Sequence, residues 1–206
     1  MNIKEQIKKA KIIPVIKLEN QKDTLPLIDA LIAGGLPIAE ITFRTAAAPA
    51  CIALVKKHRP EVLLGAGTIL TIDQAKAALE AGAAFIVSPG FNPELVDYCI
   101  EQNVLIIPGV NNPTQVELGM RKGLDVLKFF PAEASGGVDM IKALSSVYPV
   151  SFMPTGGINS SNILMYLKIP SVIACGGSWM VKEEYIKNGD FNLIKEKTKE
   201  AVTLVG

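Results

Sequence analysis

Lys128 stands in the segment "VLKFFPAEASGG" (residues 126–137), with Val126, Leu127, Phe129 and Phe130 around it. An unpaired ammonium is costly to bury, so such a lysine is expected to be held as the neutral amine. A neutral amine can attack a ketone and form a Schiff base. The competing reading is a side chain that snorkels to solvent. A second segment, "IAEITFR" (38–44), alternates so that Glu40, Thr42 and Arg44 would share one strand face. Alone, that glutamate and arginine could be only a stabilising pair. Beside the lysine they read as a carboxylate acid/base and a guanidinium for an anion. The segments "PTGGINSSN" (154–162) and "ACGGSWM" (174–180) bring Gly156, Gly157, Gly177 and Ser178. Bare N–H groups there, the second set at the start of a short helix, would favour a phosphate. A lysine nucleophile, a glutamate proton shuttle, an arginine for a carboxylate and a phosphate cradle suit a phosphorylated 2-oxo acid. The iminium serves as the electron sink, and no metal or cofactor is called for.

These residues need a scaffold that gathers them. Short apolar runs such as "KIIPVIK", "VLLGAGT", "AFIVSPG" and "VLIIPGV" recur, each followed by a helical pattern. Eight such units, roughly 20 to 25 residues apart, predict alternating parallel strands and helices. The strands read as continuous apolar runs, as strands buried on both faces do. Eight βα units predict a (β/α)8 TIM barrel, with an additional N-terminal helix over residues 2–10 at its bottom. An open doubly wound sheet would carry a glycine fingerprint after its first strand, and "KLENQKD" has no glycine. The site residues then fall at strand ends, the active face of such barrels. Helix starts are marked by Thr71 in "TIDQ" and by Asn92 and Asn112 before Pro93 and Pro113. Gly34 and Gly82 mark helix ends. Residues 1–206 are expected to form one domain.

Composition removes other classes. The 206 residues carry 21 basic and 20 acidic side chains, a balance that predicts no nucleic-acid or membrane partner. The start "MNIKEQIKKAK" has no apolar stretch of a signal peptide, which together with three scattered cysteines (Cys51, Cys99, Cys175) predicts a cytoplasmic protein with reduced thiols. The lone histidine, His58, reads as a solvated residue at a helix end; one histidine and no C-x-x-C spacing leave no metal site.

In order and spacing, "EITFRT", "GAGT", "SPG", "KFFPAE", "PTGGI" and "GGSW" resemble the 2-keto-3-deoxy-6-phosphogluconate (KDPG) aldolase / 4-hydroxy-2-oxoglutarate aldolase family. The resemblance spans nearly the whole chain. It implies a class I, Schiff-base lyase that cleaves KDPG reversibly to pyruvate and glyceraldehyde 3-phosphate, with Lys128 as the Schiff-base residue. It implies Glu40 as the general acid/base, working partly through a bound water, and Arg44 with Thr68 as binders of the pyruvyl carboxylate. Pro89 and Phe130 would wall the pyruvyl site; Gly156, Gly157, Gly177 and Ser178 would hold the phosphate. It further implies a cytoplasmic homotrimer in the Entner–Doudoroff or a related sugar-acid pathway. Lys17 in "PVIK", where relatives carry arginine, and Asn111 and Asn112 in "GVNNPTQ" could touch the distal part of a substrate. The galactonate epimer or 4-hydroxy-2-oxoglutarate is the alternative substrate. A non-catalytic barrel that binds a sugar-acid phosphate is the alternative of another kind. Glu133 has no expected role.

Overall fold

In a computed structural model that describes residues 2–206, nine strand segments alternate with helices. The strands are β1 (Ile12–Ile16), β2 (Ile38–Thr42), β3 (Leu63–Gly67), β4 (Phe85–Val87), β5 (Leu105–Ile107), β6 (Gly109–Val110), β7 (Val126–Phe129), β8 (Ser151–Pro154) and β9 (Cys175–Gly177). All pairings are parallel, in the order β5-β4-β3-β2-β1-β9 and β6-β7-β8. The two sheets join into one ring. Bridges Phe152↔Val172 and Thr155↔Gly176 link the β8 and β9 segments. On the other side, β5 and β6 are one barrel strand interrupted at Pro108. Proline has no N–H for the ladder, but its carbonyl still accepts from the Lys128 N–H at 2.9 Å. The predicted (β/α)8 barrel is therefore present, with its fifth strand split.

Helices follow the strands on the outside: α2 (Thr24–Ala33), α3 (Ala48–His58), α4 (Ile72–Glu80), α5 (Pro93–Glu101), α6 (Pro113–Arg121), α7 (Gly137–Ser145) and α8 (Ile163–Leu167). After β9 come α9 (Glu183–Asn188) and α10 (Phe191–Val205). The side chains of Asn92 and Asn112 cap α5 and α6 ahead of Pro93 and Pro113, as expected. Thr71 caps α4, but Gln74 reaches past it to the Leu70 N–H at 2.7 Å, so the capping box is shifted by one residue. Gly82 takes the left-handed φ of +101° that ends a helix. Gly34 does not; Gly35 does, at φ +88°. Gly34 is small for another reason, since a Cβ there would lie 2.6 Å from Thr198 Cβ of α10. His58 ends α3 in solvent.

The leading helix α1 (Ile3–Ala10) is capped by Asn2 and Glu5, which satisfy each other's N–H groups at 2.9 and 3.0 Å. It spans the barrel bottom. Ile7 is fully buried, and Gln6, Lys9 and Ala10 lie beside the entries of β2 and β3. Lys4 pairs with Asp125 at the entry of β7.

Two apolar layers carry the fold. Outward residues meet the helices: Leu127 packs on α6, where a Cβ at Gly119 would stand 2.8 Å from its Cδ2. Inward residues follow from the register, because paired residues on parallel strands face the same way. The pairings Val15↔Glu40↔Gly65↔Phe85 and Gly109↔Lys128↔Met153 put all of these inside the barrel. Phe85 fills the interior by lying across Gly65, where a side chain would collide with its ring.

All three cysteines are buried and free. Burial pushes the Cys99 thiol up to about 11 and the Cys175 thiol up to about 12. A thiol raised in the fold stabilises it below the ordinary thiol value of about 8.5 and loses that contribution as pH rises above it. Native protein at pH 8 should therefore resist iodoacetamide, and should gain three adducts once unfolded in urea. Intact mass reads both states; rapid native labelling would contradict the packing of these thiols.

Candidate active site

Lys128 and Glu40 meet inside the barrel. Lys128 Nζ lies 3.7 Å from Glu40 Oε1, with the two side chains 5% and 0% exposed. The lysine is thus not walled by apolar groups alone, as its neighbours in sequence suggest; a carboxylate from β2 balances it. The Lys128 Nζ also lies over the Phe130 ring, 5.1 Å from its centroid. Neither Glu40 oxygen has a hydrogen-bond partner in the protein. A fully buried carboxylate without donors is unusual, and it can take a proton from a group placed beside it. Its seat is made by β3. A Cβ at Gly67 would collide with Glu40 Oε1 and come within 2.6 Å of its Cδ.

Arg44 is not on the strand face expected for it. β2 ends at Thr42, and Arg44 projects from the following turn, exposed to solvent. Phe43 N–H is still bonded to Gly67 C=O at 2.8 Å, but beyond it the chain leaves the ladder. Thr42 uses its hydroxyl on Ile16 C=O at 2.9 Å, tying β2 to β1. Arg44, Thr42, Val15, Lys17 and Ser178 line a rim cleft of about 480 Å³. Lys128 and Glu40 do not line this cleft, but its wall residue Val15 is Glu40's register partner. Lys17 is held by Glu19 at 2.7 Å and Glu183 at 3.3 Å. Those hydrogen bonds raise its pKa, and the bond to Lys17 lowers that of Glu19.

Thr68 follows Gly67 with φ +56°. A β-branched residue there stores roughly 1–3 kcal/mol of strain, which marks a place where the fold overrides local preference. Pro89 is half-buried at the end of the β4 segment, and its carbonyl packs where a Cβ of Gly109 would be. The sequence reading gave Asn112 a possible substrate contact as well as the cap. Its side chain is committed to the α6 N-terminus and to Asn111 Oδ1 at 3.0 Å.

Gly156 and Gly157 form a turn directly after β8, with φ +101° and +81°. Gly177 and Ser178 do not begin a helix, contrary to the expectation. Ser178 opens a turn closed by Val181 N–H at 3.0 Å, and α9 starts only at Glu183. Gly177 faces outward, where a side chain would collide with the Trp179 ring. One inward group was missed. Thr155 is 7% exposed, and its Oγ1 has no partner in the protein. It is two residues beyond Met153, the register partner of Lys128, and so faces the same interior. The alternation of "SFMPT" carried that signal.

The dependence of Glu40 on Gly67 gives a direct test. Gly67→Ala should fold, by circular dichroism, yet slow borohydride-trappable adduct formation with pyruvate by roughly 100-fold, as a misplacement of about 1 Å can do. A wild-type trapping rate would mean that the carboxylate's seat does not matter.

A family model described as KDPG and KHG aldolase matches residues 3–197. A 2-dehydro-3-deoxy-phosphogluconate aldolase of Haemophilus influenzae is 47% identical over 98% of this chain and 95% of its own. One of Treponema pallidum is 45% identical over 100% of this chain and 99% of its own. The crystal structure of a Legionella pneumophila KDPG aldolase, with pyruvate captured at low pH as a covalent carbinolamine, superposes with a TM-score of 0.94. It is 41% identical and covers 97% of this chain and 98% of that one. With an internal lysine and carboxylate set in a parallel barrel over nearly the full length of these relatives, the chain belongs to the KDPG and KHG aldolase family.

Proposed function

We propose that this chain is a class I aldolase that cleaves KDPG reversibly to pyruvate and glyceraldehyde 3-phosphate. The observation that carries the reading is the buried Lys128 Nζ at 3.7 Å from Glu40, a carboxylate with no other partner. Glu40 takes a proton from the Lys128 ammonium, and the free amine attacks the C2 ketone. Glu40 returns that proton to the hydroxyl of the resulting carbinolamine, which leaves as water and gives the iminium. Glu40 then removes the C4 hydroxyl proton, directly or through one water, as the C3–C4 bond breaks. The electron pair of that bond passes into the iminium and forms an enamine, and the aldehyde leaves. Protonation at C3 and hydrolysis release pyruvate and the amine. The electron sink is the iminium itself.

The remaining residues bind. Arg44, with Thr68, is proposed to hold the substrate carboxylate, a planar anion that suits a guanidinium. Pro89 and Phe130 wall the pyruvyl part. Gly156 and Gly157, with Gly177 and Ser178, face the phosphate end. Residues 1–206 would act as one domain, in a cytoplasmic homotrimer; light scattering at several concentrations checks the oligomer. Among the described residues no helix is long and apolar enough to cross a membrane, and no cluster of three or more His, Cys, Asp or Glu could hold a metal.

Borohydride with pyruvate should add one reduced pyruvyl group to Lys128, read by peptide mass. Lys128→Ala should lose both the adduct and turnover, by at least about 10⁴-fold. Glu40→Gln should still trap slowly while turnover falls by about 10²- to 10⁴-fold. Full turnover without Lys128 would sink the mechanism, and absence of any adduct in the wild type would favour a mere binder. KDPG should be turned over faster than its galactonate epimer or 4-hydroxy-2-oxoglutarate; a reversed order would reassign the substrate.

A further inference from the structure

Glu133, two residues beyond the cis-linked Pro131, had no place in the chemistry. The structure packs it directly under the Gly156–Gly157 turn. A Cβ at Gly157 would stand 2.5 Å from Glu133 Cγ, and one at Gly156 3.2 Å from Ala132 N. Three successive carbonyls of the turn are each held by a hydrogen bond. Thr155 C=O accepts from Ala132 N–H at 2.8 Å, and Gly156 C=O accepts from Glu133 N–H at 3.1 Å. Gly157 C=O accepts from Asn162 Nδ2 at 3.0 Å and from Asn159 Nδ2 at 3.2 Å. In a trans peptide the N–H points opposite to the C=O. The N–H groups of Gly156, Gly157 and Ile158 therefore each point away from the donor that holds the preceding carbonyl. Successive N–H groups arranged like this make an anion-binding concavity.

The Glu133 carboxylate is itself restrained. It accepts a hydrogen bond from the hydroxyl of Tyr166, a fully buried residue of α8. Gly137 at the start of α7, φ +56°, leaves room for both partners; a Cβ there would lie 3.2 Å from the Tyr166 oxygen and 3.3 Å from Glu133 Oε1. Burial and this bond both raise the Tyr166 pKa, so the phenol stays a donor. A loose carboxylate beside an anion cradle would repel its ligand. Tyr166 holds this one beneath the turn.

We propose that Glu133 and Tyr166, with Asn162, are positioning residues that lock this turn and thereby set the preference for phosphorylated over unphosphorylated 2-oxo acids. None of the three reaches the reacting atoms. The proposal rests on the reading of the Gly156–Gly157 turn as the phosphate site.

The test compares KM and kcat on KDPG and on 4-hydroxy-2-oxoglutarate for the full chain and its variants. Tyr166→Phe keeps the buried ring and removes only the donor. It should raise KM for KDPG about tenfold, with kcat within about twofold and with 4-hydroxy-2-oxoglutarate kinetics unchanged. Glu133→Ala should do the same. Glu133→Gln, whose amide oxygen can still accept from Tyr166, should restore most of the KDPG affinity. Parallel losses on both substrates, or wild-type KM in Tyr166→Phe and Glu133→Ala, would overturn the positioning role. The underlying reading fails separately, if inorganic phosphate does not compete with KDPG in the wild-type protein.

Discussion

A lysine and a glutamate share the closed interior of this barrel, and much of the surrounding structure serves that pair. Taking two charges out of water costs several kcal/mol per ion, and a single ion pair repays this only with good geometry. At 3.7 Å the contact between Lys128 and Glu40 is an ion pair rather than a close hydrogen bond, and Glu40 has no other donor. Hydrophobic residues of similar volume would commonly be as stable or more so. That cost fits the proposed role of the pair as a proton-transfer couple, kept where water is scarce. Gly67 is part of the same arrangement, since any side chain there would occupy the carboxylate's volume.

The pair also explains why sequence reading succeeded where it did. Lys128 and Glu40 stand out in the sequence because each puts a charge in an apolar run, and the structure brings the two together inside the barrel. The eight-fold recurrence of strand and helix was legible because its period is set locally, by runs and caps. Arg44 lines the rim cleft with Thr42 but from the turn after β2, because a strand's last residue is set by its neighbour's ladder, not by its own letters. Gly177 lacks a side chain where the Trp179 ring packs on the outer face, a constraint separate from the phosphate contact proposed for its N–H. The partners that require Gly67, Gly65 and Gly34 are not legible in the sequence, where Gly34 reads only as a helix end. Each is small because of a partner more than 18 residues away in the chain.

Polar groups in the interior are ranked by depth. Glu40 and Lys128 are sealed, Thr155 sits two residues further along its strand with a bare hydroxyl, and Arg44, Lys17 and Ser178 line the open rim. Surface charges such as Lys17 can be screened and re-paired, and two carboxylates already hold it. The sealed pair has no such freedom. A substitution at the rim should thus alter which substrate is held, whereas one in the interior alters whether the reaction proceeds.

These two zones are joined by one short piece of chain. From Lys128 the backbone runs five residues to Glu133, and along that run Ala132 and Glu133 donate their N–H groups to Thr155 and Gly156. The turn after β8 is therefore registered against the segment that carries Lys128 rather than floating on its own loop. A phosphate held by that turn would be placed at a fixed distance from the amine, with the carbon chain of the substrate spanning the interval. Rotation of the turn's peptide planes would break hydrogen bonds from four separate residues at once, Ala132, Glu133, Asn159 and Asn162. Loops of such barrels generally vary while their strands persist, but here backbone hydrogen bonding makes the loop an extension of β7 and β8. In the proposed reaction the barrel would supply the reactive pair, and the short bonded segment from Lys128 to Glu133 the scale against which a substrate's length is measured.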